Sequence, residues 1–329
     1  MEPSVGAHGV RPLVSAIIVT WNSATHLRRC LEALRQQTYQ PIEVIHVDNA
    51  SSDESVALVT GATQILNAEN RGFAAAVNQG IAAARGGYVL LVNPDAFLEP
   101  EYVANLVRAL EAAGERFGMA TGKLIRADDP HVIDTMGIRM TRTGRHLDIV
   151  ECGGHAAAVR AAAWPPHSTE VFGVSGAAAM YTRAFIDDVS IDNEFLDEDF
   201  FAYREDADVA WRGRLFGWRA LYVPDAVGTH VRAVTPERRR ALPAFINMHS
   251  VKNRFLLRLK NEGLYLALRN APFELARDLV AIAAVLTIER SSLPALGWLW
   301  KNRRRIWAKR RQIQRRRRVS DRALASWFR

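Results

Sequence analysis

Cysteine is scarce in this chain of 329 residues: only Cys30 and Cys152 are present. Two cysteines cannot build a disulfide framework, and these lack the close spacing of a zinc site. Cys30 falls on an apolar helical stripe, which fits a buried thiol better than a reactive one. Glycine-rich phosphate loops are missing as well. The first strand-to-helix turn reads Thr20-Trp21-Asn22-Ser23, with no Gly-x-Gly-x-x-Gly and no Walker lysine. A dinucleotide fold needs glycines there so that the pyrophosphate can approach the helix N-terminus. A dehydrogenase and a P-loop enzyme are therefore disfavoured, as is a nucleotidyltransferase built on such a loop. Long apolar runs are also absent. The stretch Leu279 to Ile288 holds ten uncharged residues, well short of the roughly 18 to 20 of a spanning helix. The N-terminal residues show no basic segment followed by an apolar one, so no signal peptide is expected. The expectation is a cytoplasmic protein, peripheral on the inner face of the cell membrane.

With 49% apolar and 24% charged residues, the chain is globular. Its net charge of +8 is unevenly placed. Residues 301 to 329 hold thirteen Lys or Arg against one Asp, a net of +12, which leaves −4 for residues 1 to 300. A mildly acidic body thus carries a strongly basic end.

The first third alternates strand and helix patterns. Val14 to Thr20 reads as a buried strand, and Asn22 or Ser23 is placed to cap a helix with Leu27, Cys30, Leu31 and Leu34 on one face. Ile42 to Asp48 is a second strand, after which Ser52 or Asp53 would start a short helix. Gln64 to Leu66 is a weaker strand, and Gly72 to Arg85 an alanine-rich helix. Tyr88 to Val92 is a buried strand that stops at Asn93-Pro94-Asp95, followed by a helix with Val103, Leu106, Val107 and Leu110. This alternation predicts βαβ units and a mainly parallel sheet. Ligands of such sheets bind outside the strands' carboxyl ends, which is where Asp95 falls.

Residues 125 to 170 are the least legible, with Gly137-Ile-Arg-Met suggesting an exposed hairpin or flexible loop. Val171 to Met180 is crowded with small residues, which allows either tight packing or close approach of a ligand to backbone. A dense acidic and aromatic cluster runs from Asp197 to Asp208. Asp206 to Phe216 reads as a helix that Gly217 ends, followed by a strand from Trp218 to Val223. Carboxylates at a helix start are favoured by its dipole. Set among Phe200, Phe201, Tyr203 and Trp211, they also suit a general base with a tuned pKa.

Taken in order, seven segments resemble a family 2 glycosyltransferase with the GT-A fold. They are Val14 to Asn22, Val47 to Asp53, Asn70 to Asn78, Leu91 to Asp95, Ser175-Gly176-Ala177, Glu205 to Asp208, and His230. The Asn-Pro-Asp form resembles bacterial rhamnosyltransferases and related cell-wall or O-antigen transferases, which use dTDP- or UDP-activated sugars. The resemblance implies a GT-A domain over residues 1 to 242, with a nucleotide half to about residue 122 and an acceptor half after it. It implies Mn²⁺ or Mg²⁺ held by Asp95, with His230 as a second contact, a histidine favouring Mn²⁺. Asn93 stands where the family usually has the first carboxylate of Asp-x-Asp. Asp48 would accept the imide N–H of uracil or thymine, with Thr20 and Asn22 lining the nucleoside. Arg71 would pair with phosphate or base beside Asn70 and Gly72, and Ser175 and Gly176 would wall the substrate. Inversion needs one base for the acceptor hydroxyl, which is Asp206 on this reading, with Glu205 the runner-up. The acceptor would be a glycan or a lipid-linked glycan. The alternative is a catalytically weak, transferase-like binding or membrane-scaffold protein.

From residue 243 on, basic and apolar residues share a helical pattern, as in Phe255, Leu256, Leu257 and Leu259 among Lys252, Arg254, Arg258 and Lys260. This region is expected to lie on an anionic membrane surface, where each Lys or Arg contributes about 1 kcal/mol. Nucleic acid ranks below that partner, and the same helices could serve a homodimer.

Overall fold

The computed structural model describes residues 11–149, 167–232 and 244–329, so Cys152 lies outside it. The expected alternation is there: β1 (Val14–Thr20), α1 (Ala24–Arg35), β2 (Ile42–Asp48), β3 (Thr63–Leu66), α2 (Phe73–Ala83) and β4 (Tyr88–Val92). β1 lies between β2 and β4, pairing parallel to both, with Val14 opposite Ile42 and Tyr88. These strands are buried on both faces, which is why they read as continuous apolar runs.

One expected helix is replaced by a turn. Leu58 N–H reaches Glu54 O at 3.1 Å, but no helix follows Ser52. The cause is that Asp53 works elsewhere: its Oδ2 accepts the Ala24 amide at 2.9 Å and its Oδ1 the Ser55 hydroxyl at 2.5 Å. Asp53 thus satisfies the N-terminus of α1 from across the turn, and Ser23 makes no capping bond of its own. Asn22 is engaged too, accepting the Ser52 amide at 2.8 Å.

The second half adds β5 (Ala96–Leu98), α3 (Tyr102–Ala113), β6 (Phe117–Arg126) and β7 (Ile133–Thr135). A hairpin of β8 (Ile138–Met140) and β9 (His146–Asp148) follows, at the place where one was anticipated. Then come β10 (Thr169–Val171), β11 (Ala178–Thr182), α4 (Arg183–Val189), α5 (Glu205–Leu215) and β12 (Arg219–His230). The main sheet runs β10-β12-β6-β11-β4-β1-β2-β3. β11 is antiparallel to both β4 and β6, so the sheet is mixed. β12 continues past Val223 to His230 through a register shift against β6, which carries the histidine to the strand's far end.

The C-terminal helices are α6 (Ala244–Asn261), α7 (Leu264–Thr287), α8 (Leu293–Lys301), α9 (Arg303–Arg316) and α10 (Asp321–Leu324). They do not form a region apart from the sheet. Leu256, Leu257, Ile306, Ile313 and Phe328 belong to the same buried cluster as Ile17, Val47 and Trp211. The basic residues have acidic partners in the body. Lys309 Nζ donates to Asp197 at 2.7 Å and Glu194 at 2.8 Å, and Arg305 Nε to Asp199 at 3.1 Å. Much of the C-terminal positive charge therefore neutralises the acidic stretch around Asp197.

The centre of this junction is Asp208, fully buried on α5. Lys260 Nζ donates to both its oxygens at 3.0 Å, Asn261 Nδ2 at 2.6 Å and Arg212 Nε at 3.0 Å. Replacing Asp208 by Ala leaves two buried cations short of their counter-charge, a class of change that costs about 3–5 kcal/mol. Urea denaturation of Asp208→Ala should register that loss, whereas a change below about 1 kcal/mol would mean that the junction is not what clamps α6 to α5.

Candidate active site

The carboxyl ends of β1 and β2 are joined by short polar bonds. Thr20 Oγ1 donates to Asp48 Oδ1 at 2.6 Å, and Ser51 closes on the same carboxylate through its hydroxyl at 2.6 Å and its amide at 2.8 Å. Asn49 Nδ2 donates to Gly72 O at 3.1 Å, and Asn70 Oδ1 accepts the Gly72 amide at 2.9 Å. Gly72 has φ +88°, and a Cβ there would fall 2.6 Å from the Phe201 ring, so both its backbone and its surroundings require glycine. Thr20 and Asp48 are buried beneath this layer.

Above it opens a cavity of about 870 Å³. Trp21, Asn22 and Ser23 line it from the first turn, Asn49 and Asn70 from the second and third, and Asn93, Pro94 and Asp95 from the end of β4. The opposite wall is Phe201, Ala202 and Tyr203, joined by Phe245, Ile246 and His249 of α6. Phe201 stacks on His249 with ring centres 4.8 Å apart and meets Phe245 edge-on at 5.0 Å. Phe201, Tyr203 and Arg204 all have positive φ, an uncommon conformation for non-glycine residues. Asn253 holds that bend by donating to the carbonyls of Phe200, Ala202 and Tyr203 at 2.8–2.9 Å. A helix from the basic C-terminal region thus completes the cavity.

Next to the cavity's Asp95, His230 faces two carboxylates. Its Nε2 lies 3.3 Å from Asp95 Oδ1, and its Nδ1 lies 2.8 Å from Asp134 Oδ2. Burial lowers the imidazole pKa, but the hydrogen bonds and charges of Asp134 and Asp95 outweigh it, and the value is pushed up to about 9. Asp134 also accepts Arg232 Nε at 2.8 Å, and Arg232 pairs in turn with Asp148. A bound divalent cation would replace the proton: an Nδ1–H held by Asp134 leaves the Nε2 lone pair directed at Asp95. The donor set, one carboxylate and one imidazole, suits such an ion. Among the described residues no group of three or more His, Cys, Asp or Glu converges to hold a metal. Further ligands would have to be substrate oxygens or water.

Asp206 opens α5. Its Oδ2 accepts the Gly176 amide at 3.2 Å and its Oδ1 the Ala207 amide at 2.7 Å. Burial raises its pKa, the two amides lower it and nearby Asp148 raises it again, for a result of about 6. Glu205 is more deeply buried and sits beside the Asp206 charge, which together raise it to about 8. Burial raises both carboxyls, and Glu205, the more deeply buried and facing the Asp206 charge, is raised the further. The Ser175–Ala177 loop links Asp206 to the end of β4, since Asn93 N–H donates to Ala177 O at 2.9 Å.

The sequence-derived residues thus fall in three groups. Asn22, Asn70, Asn93 and Asp95 line the cavity, with His230 beside Asp95. Thr20 and Asp48 lie beneath it, and Gly72 buttresses its Phe201 wall. Ser175, Gly176, Glu205 and Asp206 gather at the start of α5, while Arg71 is exposed between Asn70 and Gly72. Asp134, Phe245 and His249 escaped the sequence reading. Asp134 sits in a three-residue strand with no periodicity to flag it, whereas the i,i+4 spacing of Phe245 and His249 was a usable signal of a shared helical face.

Residues 15–160 match the model of a family described as glycosyl transferase family 2. EpsH of Bacillus subtilis (strain 168) is 36% identical over 103 residues, 30% of this chain and 30% of that protein. The N-acetylglucosaminyl-diphospho-decaprenol L-rhamnosyltransferase of Mycobacterium tuberculosis is 28% identical over 253 residues, 67% of this chain and 76% of that one. The mannosyltransferase PcManGT from Pyrobaculum calidifontis, solved with GDP-Man and Mn²⁺, superposes with a TM-score of 0.54 at 20% identity, covering 93% of this chain and 86% of that one. The chain spans only 15% to 35% of the first three curated relatives it matches.

Proposed function

We propose that this chain, which carries a glycosyl transferase family 2 domain on a GT-A fold, moves a sugar with inversion from a dTDP- or UDP-activated donor to a hydroxyl of a glycan or lipid-linked acceptor in cell-surface polysaccharide synthesis. The observation that carries this reading is the arrangement about the end of β4. Asp95 lines the cavity and faces His230 3.3 Å away, and Asn93 bonds to Ala177 of the loop whose Gly176 amide holds Asp206. Asp95 and His230 would hold Mn²⁺ or Mg²⁺, which when bound neutralises the charge growing on the diphosphate leaving group. The imidazole ligand favours Mn²⁺.

The chain's own groups then have defined tasks. Asp206 Oδ accepts the proton of the acceptor hydroxyl as that oxygen bonds to the anomeric carbon. The bond from that carbon to the diphosphate oxygen breaks on the opposite face, and the electron pair leaves with the nucleoside diphosphate. Among the described residues Asp48 Oδ2 accepts only the Ser51 amide, which leaves a lone pair for the imide N–H of uracil or thymine. Thr20 fixes that carboxylate, Trp21 and Asn22 border the nucleoside, and Asn70, Arg71, Gly72 and Asn93 border the phosphates. Ser175 and Gly176 let the sugar approach backbone closely, and Glu205, its carboxyl raised the further, sits behind Asp206. Purified protein supplied with dTDP-rhamnose or UDP-sugars, Mn²⁺ and a lipid-linked glycan should release nucleoside diphosphate and form the inverted linkage by NMR. Release with retention at the anomeric carbon would overturn the single-base scheme.

Asp134 provides a narrower test. Asp134→Asn keeps the shape but weakens the group that fixes His230's tautomer, and such partners typically change metal affinity by about 10–100-fold. Mn²⁺ titration by electron paramagnetic resonance should report a loss in that range, while unchanged affinity would remove Asp134 from the metal site.

A further inference from the structure

α7 is packed inside out. A helix on a water-soluble body normally turns its apolar stripe inward and its polar face to solvent. Here Asn270 and Glu274 are buried, and Asp278 faces α6, where Arg258 pairs with Glu274 at 2.9 Å and Arg254 with Asp278 at 3.3 Å. Leu266 and Val285 are buried beside them, but five other leucines point the other way. Leu264, Leu268, Leu275, Leu279 and Leu286 are each 53% to 73% exposed. At 100° per residue they fall within about 60° of one another, so they form one outward stripe along the helix. Polar packing inside and leucine outside reverses the usual arrangement over some six turns. Water is the wrong solvent for that outer face.

Two further features identify the medium. Trp300 and Trp307 are 71% and 52% exposed, and tryptophan favours the boundary between lipid and water. On α9, Arg304, Arg311 and Arg315 are exposed, have no carboxylate partner among the described residues, and fall within about 40° of one another. The charges left over after the Asp197 and Asp199 pairings therefore make a second outward stripe, a cationic one. No single helix among the described residues is long and apolar enough to cross a membrane, and residues 264–287 and 290–301 meet at a 107° bend. Leucine, tryptophan and unpaired arginine on a helix pair bent this sharply match the interface of an anionic bilayer.

We propose that the outward leucine stripe of α7 inserts in the plane of an anionic lipid surface, with the arginines of α9 engaging its headgroups. The inference goes beyond the transfer chemistry and does not depend on it. Because α6 both anchors α7 and lines the cavity with Phe245 and His249, lipid docking would hold the cavity beside the bilayer, where a lipid-linked acceptor resides.

Flotation of the full chain with mixed phosphatidylglycerol/phosphatidylcholine vesicles tests the idea without requiring activity. The wild type should float, and Leu275→Glu/Leu279→Glu should reduce the bound fraction about tenfold or more, with an unchanged Tm because those side chains already face outward. Arg304→Glu/Arg311→Glu/Arg315→Glu should lose binding chiefly to the anionic vesicles, and high salt should do the same. Wild-type protein that stays at the bottom in low salt would overturn the proposal, as would a leucine variant that floats normally. So would a dimer, seen by mass photometry, that the leucine variant converts to monomer without any change in lipid binding; the stripe would then be an interface between copies.

Discussion

Asp206→Asn should lower the transfer rate by about 10³-fold while leaving donor affinity within about threefold, because removing a positioned general base typically costs 10²–10⁴-fold. The amide keeps the volume of the side chain and can still face the Gly176 N–H, so the loss is one of basicity rather than of shape. The wild-type rate should carry its own signature. Asp206 must be ionised to accept a proton, and burial with Asp148 nearby places its pKa at about 6. The rate should therefore be flat around neutrality and fall tenfold per pH unit below about 6. Glu205→Gln should have a far smaller effect, since burial and the Asp206 charge raise the Glu205 carboxyl the further of the two. Turnover by Asp206→Asn above a few per cent, together with a collapse in Glu205→Gln, would transfer the role of base to Glu205.

The second large effect belongs to Asp95. Of the two facing donors, Asp95 and His230, it is the carboxylate and the one that lines the cavity. Asp95→Ala should weaken Mn²⁺-dependent binding of the nucleoside diphosphate about 100-fold, equivalent to about 2.7 kcal/mol. Binding without metal should change little. The variant also leaves His230 with Asp134 as its one carboxylate neighbour, so a poorly folded site should appear as a drop in Tm. Calorimetric titration with and without Mn²⁺ separates the two effects. Equal metal-dependent affinity in variant and wild type would remove Asp95 from the metal site.

The part of the candidate site at the ends of β1, β2 and β4 was legible because it is local. Strand runs such as Ile42 to Asp48 and Tyr88 to Val92 announce themselves by composition, and their polar ends follow at once in the sequence. Asp48, Asn93 and Asp95 could therefore be placed before any coordinates. The rest depends on contacts between distant segments. Asp53 reads as the start of its own helix, yet it caps α1 from 29 residues away. Asp134 acquires its place only when β7 pairs with β6 and brings it to His230, 96 residues on. The basic C-terminal end reads as free charge, but Lys260, Arg305 and Lys309 find their partners in the acidic stretch from Glu194 to Asp208. What remains outward is a leucine stripe on α7, which composition alone conceals because its inward face is polar. Phe245 and His249 were hidden for the same reason, being assigned to a region read as an appendage.

The claim common to all of this is that the cavity at the ends of β1, β2 and β4 receives a nucleoside diphosphate through a divalent cation. Thermal unfolding in the presence of dTDP, UDP or GDP, each with and without Mn²⁺, tests it most directly. The account predicts that dTDP or UDP raises Tm by several degrees only when Mn²⁺ is present, and that Asp95→Ala abolishes the shift. Stabilisation by GDP alone would contradict the role given to Asp48, and no shift with any nucleotide and metal together would contradict the site itself.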